Sequence, residues 1–376
     1  MSAKRRMRVA LAMMAAFCGA AVASAGQNTN DGAAIKLNQM QVIGTHNSYH
    51  AGIAPSEAKL WQKKNPQAFK SLDYSHPSLT RQFDGGARQI ELDIFADSRG
   101  GRFAHPAGPR MVAEAHLPTD PPFDPKGAMN KPGFKVMHMQ DIDYRSVCQP
   151  FIACLAEVRR WSRAHPHHVP IFILVETKQN SDADGMRLTP AEPFTSAVFD
   201  ALDEEIRSVF PREELVTPDD VRGDYTTLNE AIRAGNWPTL KSARGKVVFL
   251  LDVRKAASVY AEGHPSLRGR VLFTNAEPGQ PDAAFTECND GPAEAIADLV
   301  RQGYLVRTRS DADTQEARVN DTHRRDAMLN SGAQIVSTDY PASEPARWAG
   351  RYSVSLPGKA EARCNPVNAP GGCRLQ

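Results

Sequence analysis

Two histidines and four oxygen-bearing side chains stand in or beside short apolar segments of this sequence. The histidines are His46 and His138, and an imidazole group exchanges protons near neutral pH. The oxygen ligands come from four positions: Asn47, Glu91, Asp93 and Glu176. Hard cations such as Ca²⁺ or Mg²⁺ prefer oxygen ligands, whereas Zn²⁺ sites also use nitrogen and sulphur. The sequence therefore predicts a metal site with two proton-transfer groups beside it.

Basic and polar side chains follow the same pattern. Lys178 ends the fourth apolar run, and Arg307 and Arg309 stand two apart in the seventh. Because the planar guanidinium group matches phosphate oxygens, we expect these cations to bind an anionic group. Asp339 and Tyr340 end the eighth run and complete the predicted substrate-binding set. A metal site, two proton-transfer groups and a set of cations that can bind an anion together indicate phosphodiester cleavage.

Eight short apolar runs must position these residues. They span 41–48, 88–95, 135–139, 170–178, 246–252, 270–275, 305–311 and 333–340. Segments with helical periodicity separate several of them, at 151–164, 191–210, 227–234, 292–302 and 314–330. Alternating strands and helices predict an α/β fold with a parallel sheet, and eight repeats favour a closed (β/α)₈ barrel of the TIM type.

Polar residues on these predicted strands are spaced two apart. Glu91 and Asp93 therefore share one face of a strand, as do Arg307 and Arg309. Active sites of such barrels lie at the carboxyl ends of the strands. We therefore expect these side chains to converge at that mouth.

The first 25 residues have the pattern of a signal peptide. A basic start at residues 4–8 precedes an apolar run over 9–22, and Ala23-Ser24-Ala25 supplies a cleavage pattern. We therefore predict a leader at 1–25, a catalytic barrel at 26–348 and a C-terminal tail at 349–376. The mature protein should be a secreted or periplasmic monomer. Without the four basic residues of the leader, the formal net charge falls from +2 to −2, which gives no indication of nucleic acid as a partner.

The cysteines after the leader predict two short-loop disulfides. Cys148 and Cys154 lie close together, as do Cys364 and Cys373 on either side of a Pro/Gly-rich segment. In an exported protein we expect both pairs to be bridged, which leaves Cys288 free.

Four ordered motifs resemble the catalytic half of calcium-dependent phosphoinositide-specific phospholipases C. They are Gly44-Thr45-His46-Asn47-Ser48-Tyr49, Gln89-Ile90-Glu91-Leu92-Asp93, His138 and Ile173-Leu174-Val175-Glu176. The resemblance extends through 307–311 and 337–341, and so covers most of the mature chain. It implies that His46 and His138 form the catalytic pair. It also implies calcium ligands at four positions: Asn47, Glu91, Asp93 and Glu176.

The resemblance implies intramolecular phosphoryl transfer. The inositol 2-hydroxyl would attack phosphorus and release diacylglycerol and a cyclic inositol phosphate, with transient contact at a membrane surface. We expect His138 to protonate the leaving oxygen and His46 to stabilise the equatorial oxygens. The reverse assignment stays open, and Glu91 is a second candidate base.

Several alternatives stay open at this point. His138 lies farther beyond Asp93 than in the eukaryotic enzymes, so His116 competes for the second histidine position. Glu176-x-Lys178 and the 338–341 segment are similar to glycerophosphodiester phosphodiesterases, although Asn47 favours the phospholipase. A glycoside hydrolase with paired carboxylates and a non-catalytic barrel that binds anionic ligands are the remaining alternatives.

Overall fold

The computed structural model describes residues 34–179, 181–183 and 186–375. The predicted leader, 1–25, lies outside the described residues. Within the described part, no helix combines the length and the apolar character needed to cross a bilayer.

Eight parallel strands form the core of the described part. They are β1 (Met40–Thr45), β2 (Gln89–Phe95), β3 (Ile171–Thr177), β4 (Val247–Leu251), β5 (Leu272–Thr274), β6 (Phe285–Glu287), β7 (Leu305–Arg309) and β8 (Ile335–Thr338). Each pairs in parallel with the next, and β8 returns to β1 with Val42 opposite Ile335. Between β5 and β6 the link is one parallel bridge, from Asn275 to Phe285. The predicted closed barrel is therefore present, with its weakest seam between β5 and β6.

Thirteen α-helices connect or flank the strands in the described residues. Their bounds are Pro55–Lys64, Pro66–Ser71, Leu79–Asp84, Ala107–Glu114, Phe151–Ala164, Ser196–Val209, Pro218–Arg222, Leu228–Arg233, Leu240–Ala243, Ala257–Tyr260, Ala293–Arg301, Gln315–Val319 and His323–Asn330. Every residue of β2 and β4 is buried, as expected for parallel strands covered on both faces. The helix predicted at 151–164 has those bounds in the structure.

The third predicted strand, 135–139, is not a barrel strand. Only Lys135–Val136 is extended, and it pairs antiparallel with the end of β2, with Val136 opposite Ile94. The barrel position is instead completed by β6, a three-residue strand that the sequence analysis missed. A strand of three residues is too short to show a period-two pattern, whereas the run at 135–139 is apolar at three of its five positions but does not join the parallel ladder.

Residues 362–364 occupy an unusual position beside β1. Ala362–Cys364 pairs antiparallel with Met40–Val42, while the pairing of β1 with β2 is limited to Gly44 and Gln89. Val42 is bonded to both β8 and residue 362, so the segment at 362–364 lies on the edge of β1 that faces β2. This segment therefore lies between β1 and β2 at the amino-terminal end of β1, where the two strands do not pair.

The cysteine predictions are confirmed. Cys148 is bonded to Cys154 and Cys364 to Cys373, and Cys288 is free. The first bridge fastens the loop before helix Phe151–Ala164 to the helix itself, and the second closes the segment that pairs with β1.

Candidate active site

Three carboxylates converge at the carboxyl ends of β2 and β3. Glu91 and Asp93 are two apart on β2, so both point to the barrel interior, and Glu176 lies opposite Asp93 on β3. Oxygen atoms of the three lie within 4.8 Å of one another. Strand register alone thus assembles three of the four predicted metal ligands.

The surroundings of these acids suit a bound cation. Among the described residues, Oδ1 of the buried Asp93 has no hydrogen-bond partner, and Oδ2 lies 3.1 Å from the ammonium nitrogen of Lys178. Burial, followed by the charge of Glu176, raises the pKa of Asp93 well above its usual value. Burial also raises the pKa of Glu91 to about 7, although Arg307 opposes that shift. Buried acids that repel one another favour a hard cation, and their oxygen-only donor set fits Ca²⁺.

Asn47, the fourth predicted ligand, follows β1 in a left-handed backbone conformation, with φ of +43°. Its amide oxygen accepts from the Tyr49 hydroxyl at 3.2 Å, and its amide nitrogen donates to the Tyr74 hydroxyl at 2.9 Å. The loop is fixed to β2, since the Ser48 hydroxyl accepts the backbone N–H of Glu91 at 2.8 Å. The two tyrosines therefore set the direction of the amide beside the acids.

His46 lies between an acid from β2 and an acid that follows β8. Its Nδ1 is 2.8 Å from Asp339 Oδ1, and its Nε2 is 3.7 Å from Glu91 Oε1. Burial lowers the pKa of His46 well below its usual value, and Arg309 and Arg307 lower it further. The ring is therefore neutral at physiological pH.

His138 lies on the loop that follows the short strand Lys135–Val136. Its Nδ1 is 2.9 Å from Asp143 Oδ2, and 23 % of its side chain is exposed. His116 is exposed just beyond helix Ala107–Glu114. The geometry thus favours His138 over His116 as the second histidine, because His138 is partly buried and held by a carboxylate.

Each of the three predicted cations is paired with an acid of the site. Lys178 Nζ lies 3.1 Å from Asp93 Oδ2 and 2.9 Å from Glu176 Oε1. Arg307 donates to Glu91 Oε2, and also to Asn289 Oδ1 at 2.9 Å. Arg309 lies beside Asp339, with Nη2 3.6 Å from Oδ2.

Arg309 nevertheless retains capacity for a ligand. Among the described residues, no acceptor is hydrogen-bonded to its Nε or Nη2. Tyr340 is placed differently, since its ring packs edge-on against Trp348 and Tyr352. A substrate contact by Tyr340 stays a prediction that rests on its position after Asp339.

Sequence reasoning missed four residues of the site: Tyr74, Asp143, Asp252 and Glu287. Asp252 directly follows β4, and burial together with Glu287 and Glu176 raises its pKa. Its place at the end of the fifth apolar run was a usable signal. Glu287 ends β6 and lies 3.9 Å from Arg307, and it was missed together with its strand. Tyr74 and Asp143 lie on loops, so strand periodicity carries no signal for them.

The chain is similar to known proteins over most of its length. Residues 35–366 match the model of the family described as phosphoinositide phospholipase C, Ca²⁺-dependent. The chain resembles a calcium-dependent phosphoinositol-specific phospholipase C from the Gram-negative bacterium Pseudomonas sp., with 17 % identity over 88 % of this chain and 95 % of the other, at a TM-score of 0.53. A second structure of that enzyme, with myo-inositol, gives 18 % identity at the same coverage and TM-score. At such identity, the likeness to these structures shows a shared fold. Comparison with curated proteins gave no match.

Proposed function

Because this chain belongs to the Ca²⁺-dependent phosphoinositide phospholipase C family, we propose that the residues gathered at its barrel mouth carry out that reaction. The enzyme is a phosphodiesterase that cleaves phosphatidylinositol-type lipids with calcium as its cofactor. Membership of this family favours phospholipase activity over the three alternatives, which are a glycerophosphodiester phosphodiesterase, a glycoside hydrolase and a non-catalytic barrel.

Three acids and one amide would hold the metal: Glu91, Asp93, Glu176 and Asn47. The observation that carries this assignment is the convergence of three carboxylates, among them the buried Asp93, whose Oδ1 has no hydrogen-bond partner in the described residues. Bound calcium would supply positive charge that lowers the pKa of a substrate hydroxyl and offsets charge on the phosphoryl group.

His46 would accept the proton of the attacking inositol hydroxyl. A neutral imidazole that donates its Nδ1 proton to Asp339 presents a lone pair at Nε2, on the side of Glu91. This geometry supports a base more than the stabiliser expected from the sequence. Asp339 would then hold His46 in one tautomer, which differs from the predicted contact with substrate.

His138 would return a proton to the leaving oxygen of diacylglycerol. Its Nδ1 is committed to Asp143, so Nε2 is the atom available for proton transfer. Arg309, whose Nε and Nη2 are hydrogen-bonded to no acceptor among the described residues, would bind a phosphoryl oxygen. Lys178 and Arg307 would act mainly by fixing the acids that they contact.

We also propose that the enzyme works outside the cytoplasm, either secreted or periplasmic, as a monomer that touches the membrane transiently. The residue pattern of the leader at 1–25 supports export, and the two disulfides in the described residues suit an oxidising compartment.

The test is turnover of phosphatidylinositol in detergent micelles, with products identified by phosphorus NMR. We expect a cyclic inositol phosphate, complete loss of turnover in excess chelator, and recovery when Ca²⁺ is added.

Asp93→Asn should raise the calcium concentration needed for half-maximal rate by more than about tenfold, because it removes a charged ligand. The exposed Glu213→Gln is the matched control and should leave that requirement unchanged. Full turnover in chelator, or preferential cleavage of glycerophosphocholine, would refute the proposal.

A further inference from the structure

The loop that carries His138 is bonded to β2 up to the residue before the histidine, since the N–H of Met137 donates to the carbonyl of Asp93 at 3.2 Å. The extended segment ends at Val136, and His138 follows outside the parallel ladder. A tight turn comes next, in which the backbones of Met139 and Asp143 exchange two hydrogen bonds of 3.0 and 2.9 Å. This turn places the side chain of Asp143 next to the ring of His138.

Asp143 uses both carboxylate oxygens on histidines. Oδ2 is 2.9 Å from His138 Nδ1, and Oδ1 is 2.8 Å from His50 Nε2. The carboxylate is 1 % exposed and the His50 side chain is fully buried. Burial alone would raise the pKa of Asp143, but His50 and His138 together bring it below its usual value, so the group is an anion. A buried carboxylate held at both oxygens has one orientation.

His50 is itself fixed to the segment that carries the first histidine. Its backbone N–H donates to Asn47 at 2.8 Å, and its carbonyl accepts the N–H of His76 at 2.8 Å. His50 also pairs with Ser146 in an antiparallel bridge. The side chain of His50 therefore joins the loop after β1 to the loop around His138.

We propose that Asp143 and His50 are positioning residues that hold His138 in one ring orientation and one tautomer, with Nε2 turned to the site. Asp143 accepts the Nδ1 proton of His138, and His50 keeps the carboxylate from rotating away. Because His50 hangs from the loop of His46 and Asn47, the same pair sets the spacing between the two proton-transfer groups. This inference rests on the proposed role of His138.

The kinetic test compares variants of the full-length enzyme with phosphatidylinositol as substrate. Asp143→Asn keeps the shape but removes the charge, and it should lower kcat by about 10²-fold or more while KM changes little, since the loss falls on a proton-transfer step. His50→Leu should lower kcat by about tenfold, the smaller loss expected of a residue one contact further from the reaction. His50→Gln can still donate to Asp143 and should recover most of that loss.

Asp141→Asn is the matched control. Asp141 is buried in the same turn, but its oxygens accept the backbone N–H groups of Ala107 and Thr189. Its replacement should lower the melting temperature while kcat of the folded fraction stays close to wild type. If Asp143→Asn instead behaves like Asp141→Asn, then Asp143 is structural and the inference is wrong.

A second measurement is independent of turnover. Nitrogen-15 NMR of labelled histidines reports which ring nitrogen of His138 carries the proton, with its signal identified by its loss in His138→Gln. We expect Nδ1 to be protonated throughout in the wild-type protein and a mixture of tautomers in Asp143→Asn. A mixture already present in the wild type would overturn the inference even if the enzyme proves inactive. An inactive enzyme with a single His138 tautomer would instead contradict only the proposed function.

Discussion

At the residue scale, the two histidines differ in their carboxylate partners and hardly in exposure, since 18 % of the His46 side chain and 23 % of the His138 side chain are exposed. His46 lies between Asp339 and Glu91, whereas Nδ1 of His138 contacts Asp143. Such a contrast in surroundings is what separates a proton acceptor from a proton donor in one site.

Replacing either histidine by alanine should therefore remove a proton-transfer step. We expect His46→Ala and His138→Ala each to lower kcat by about 10²–10⁴-fold, with the far-ultraviolet circular dichroism spectrum unchanged. His116→Ala, at an exposed position, is the control and should retain wild-type turnover. Loss of activity in His116→Ala with His138→Ala unaffected would reverse the assignment.

Arg309 allows a test of phosphate binding at the same scale. Arg309→Lys keeps the charge but loses the planar fork, so we expect kcat/KM to fall by an amount equivalent to about 1–3 kcal/mol. Arg324→Lys is the matched control, because Arg324 donates to the backbone of Arg309 and Asn289. The control should lower the melting temperature and leave kcat/KM unchanged. If Arg309→Lys instead lowers the melting temperature and leaves kcat/KM unchanged, the contact of Arg309 with Asp339 is a structural ion pair.

At the scale of elements, the sequence predicts side chains that regular strands position and fails where short or irregular segments decide. Glu91 and Asp93 were placed correctly because strand periodicity and parallel register dictate their direction. Asp143 could not be predicted, since its contact with His138 depends on the turn at 139–143. Strand β6 was missed because three residues are too few to show the alternation of apolar and polar side chains that indicates a strand. The prediction of eight strands was right in number only because one false strand replaced one missed strand.

Helix Ser196–Val209 carries an acid whose titration should affect stability. Glu205 is half-buried, and hydrogen bonds from the backbone N–H groups of Phe134 and Ile152 favour its charged form. Burial raises its pKa to about 7, despite those bonds and Lys135. A folded-state pKa above the unfolded value means that the folded protein binds the extra proton. The contribution of Glu205 to stability is thus present below about pH 4.5 and lost as the pH rises through about 7.

Glu205→Gln should therefore stabilise the protein at pH 8, by about 1–3 kcal/mol, and change little near pH 4. Urea unfolding across this pH range measures the effect. The neighbouring exposed Glu204→Gln serves as control and should not alter the pH profile. A Glu205→Gln profile parallel to wild type would show that Glu205 titrates alike in both states.

At the scale of the whole chain, the bridge between Cys364 and Cys373 holds the segment that pairs with β1. Replacing both cysteines by serine should lower the free energy of unfolding by about 2–3 kcal/mol, the loop entropy expected for so short a ring. Cys288→Ser is the control, because Cys288 is free. Melting temperatures without reductant decide the matter, and equal values for the double variant and wild type would contradict the prediction.

The position of residues 362–364 also governs the order in which the enzyme can assemble. Met40 pairs with Cys364 across more than three hundred residues of chain, and β1 borders both this segment and β8. Closing so long a loop is slow, because its entropy is lost before the contact is made. Until residues 362–364 have been synthesised, the backbone of Met40–Val42 stays unpaired on that edge and can pair with other strands. His46 and Asn47 directly follow that same strand. A newly made molecule would therefore acquire its complete set of site residues only when nearly the whole chain is in place.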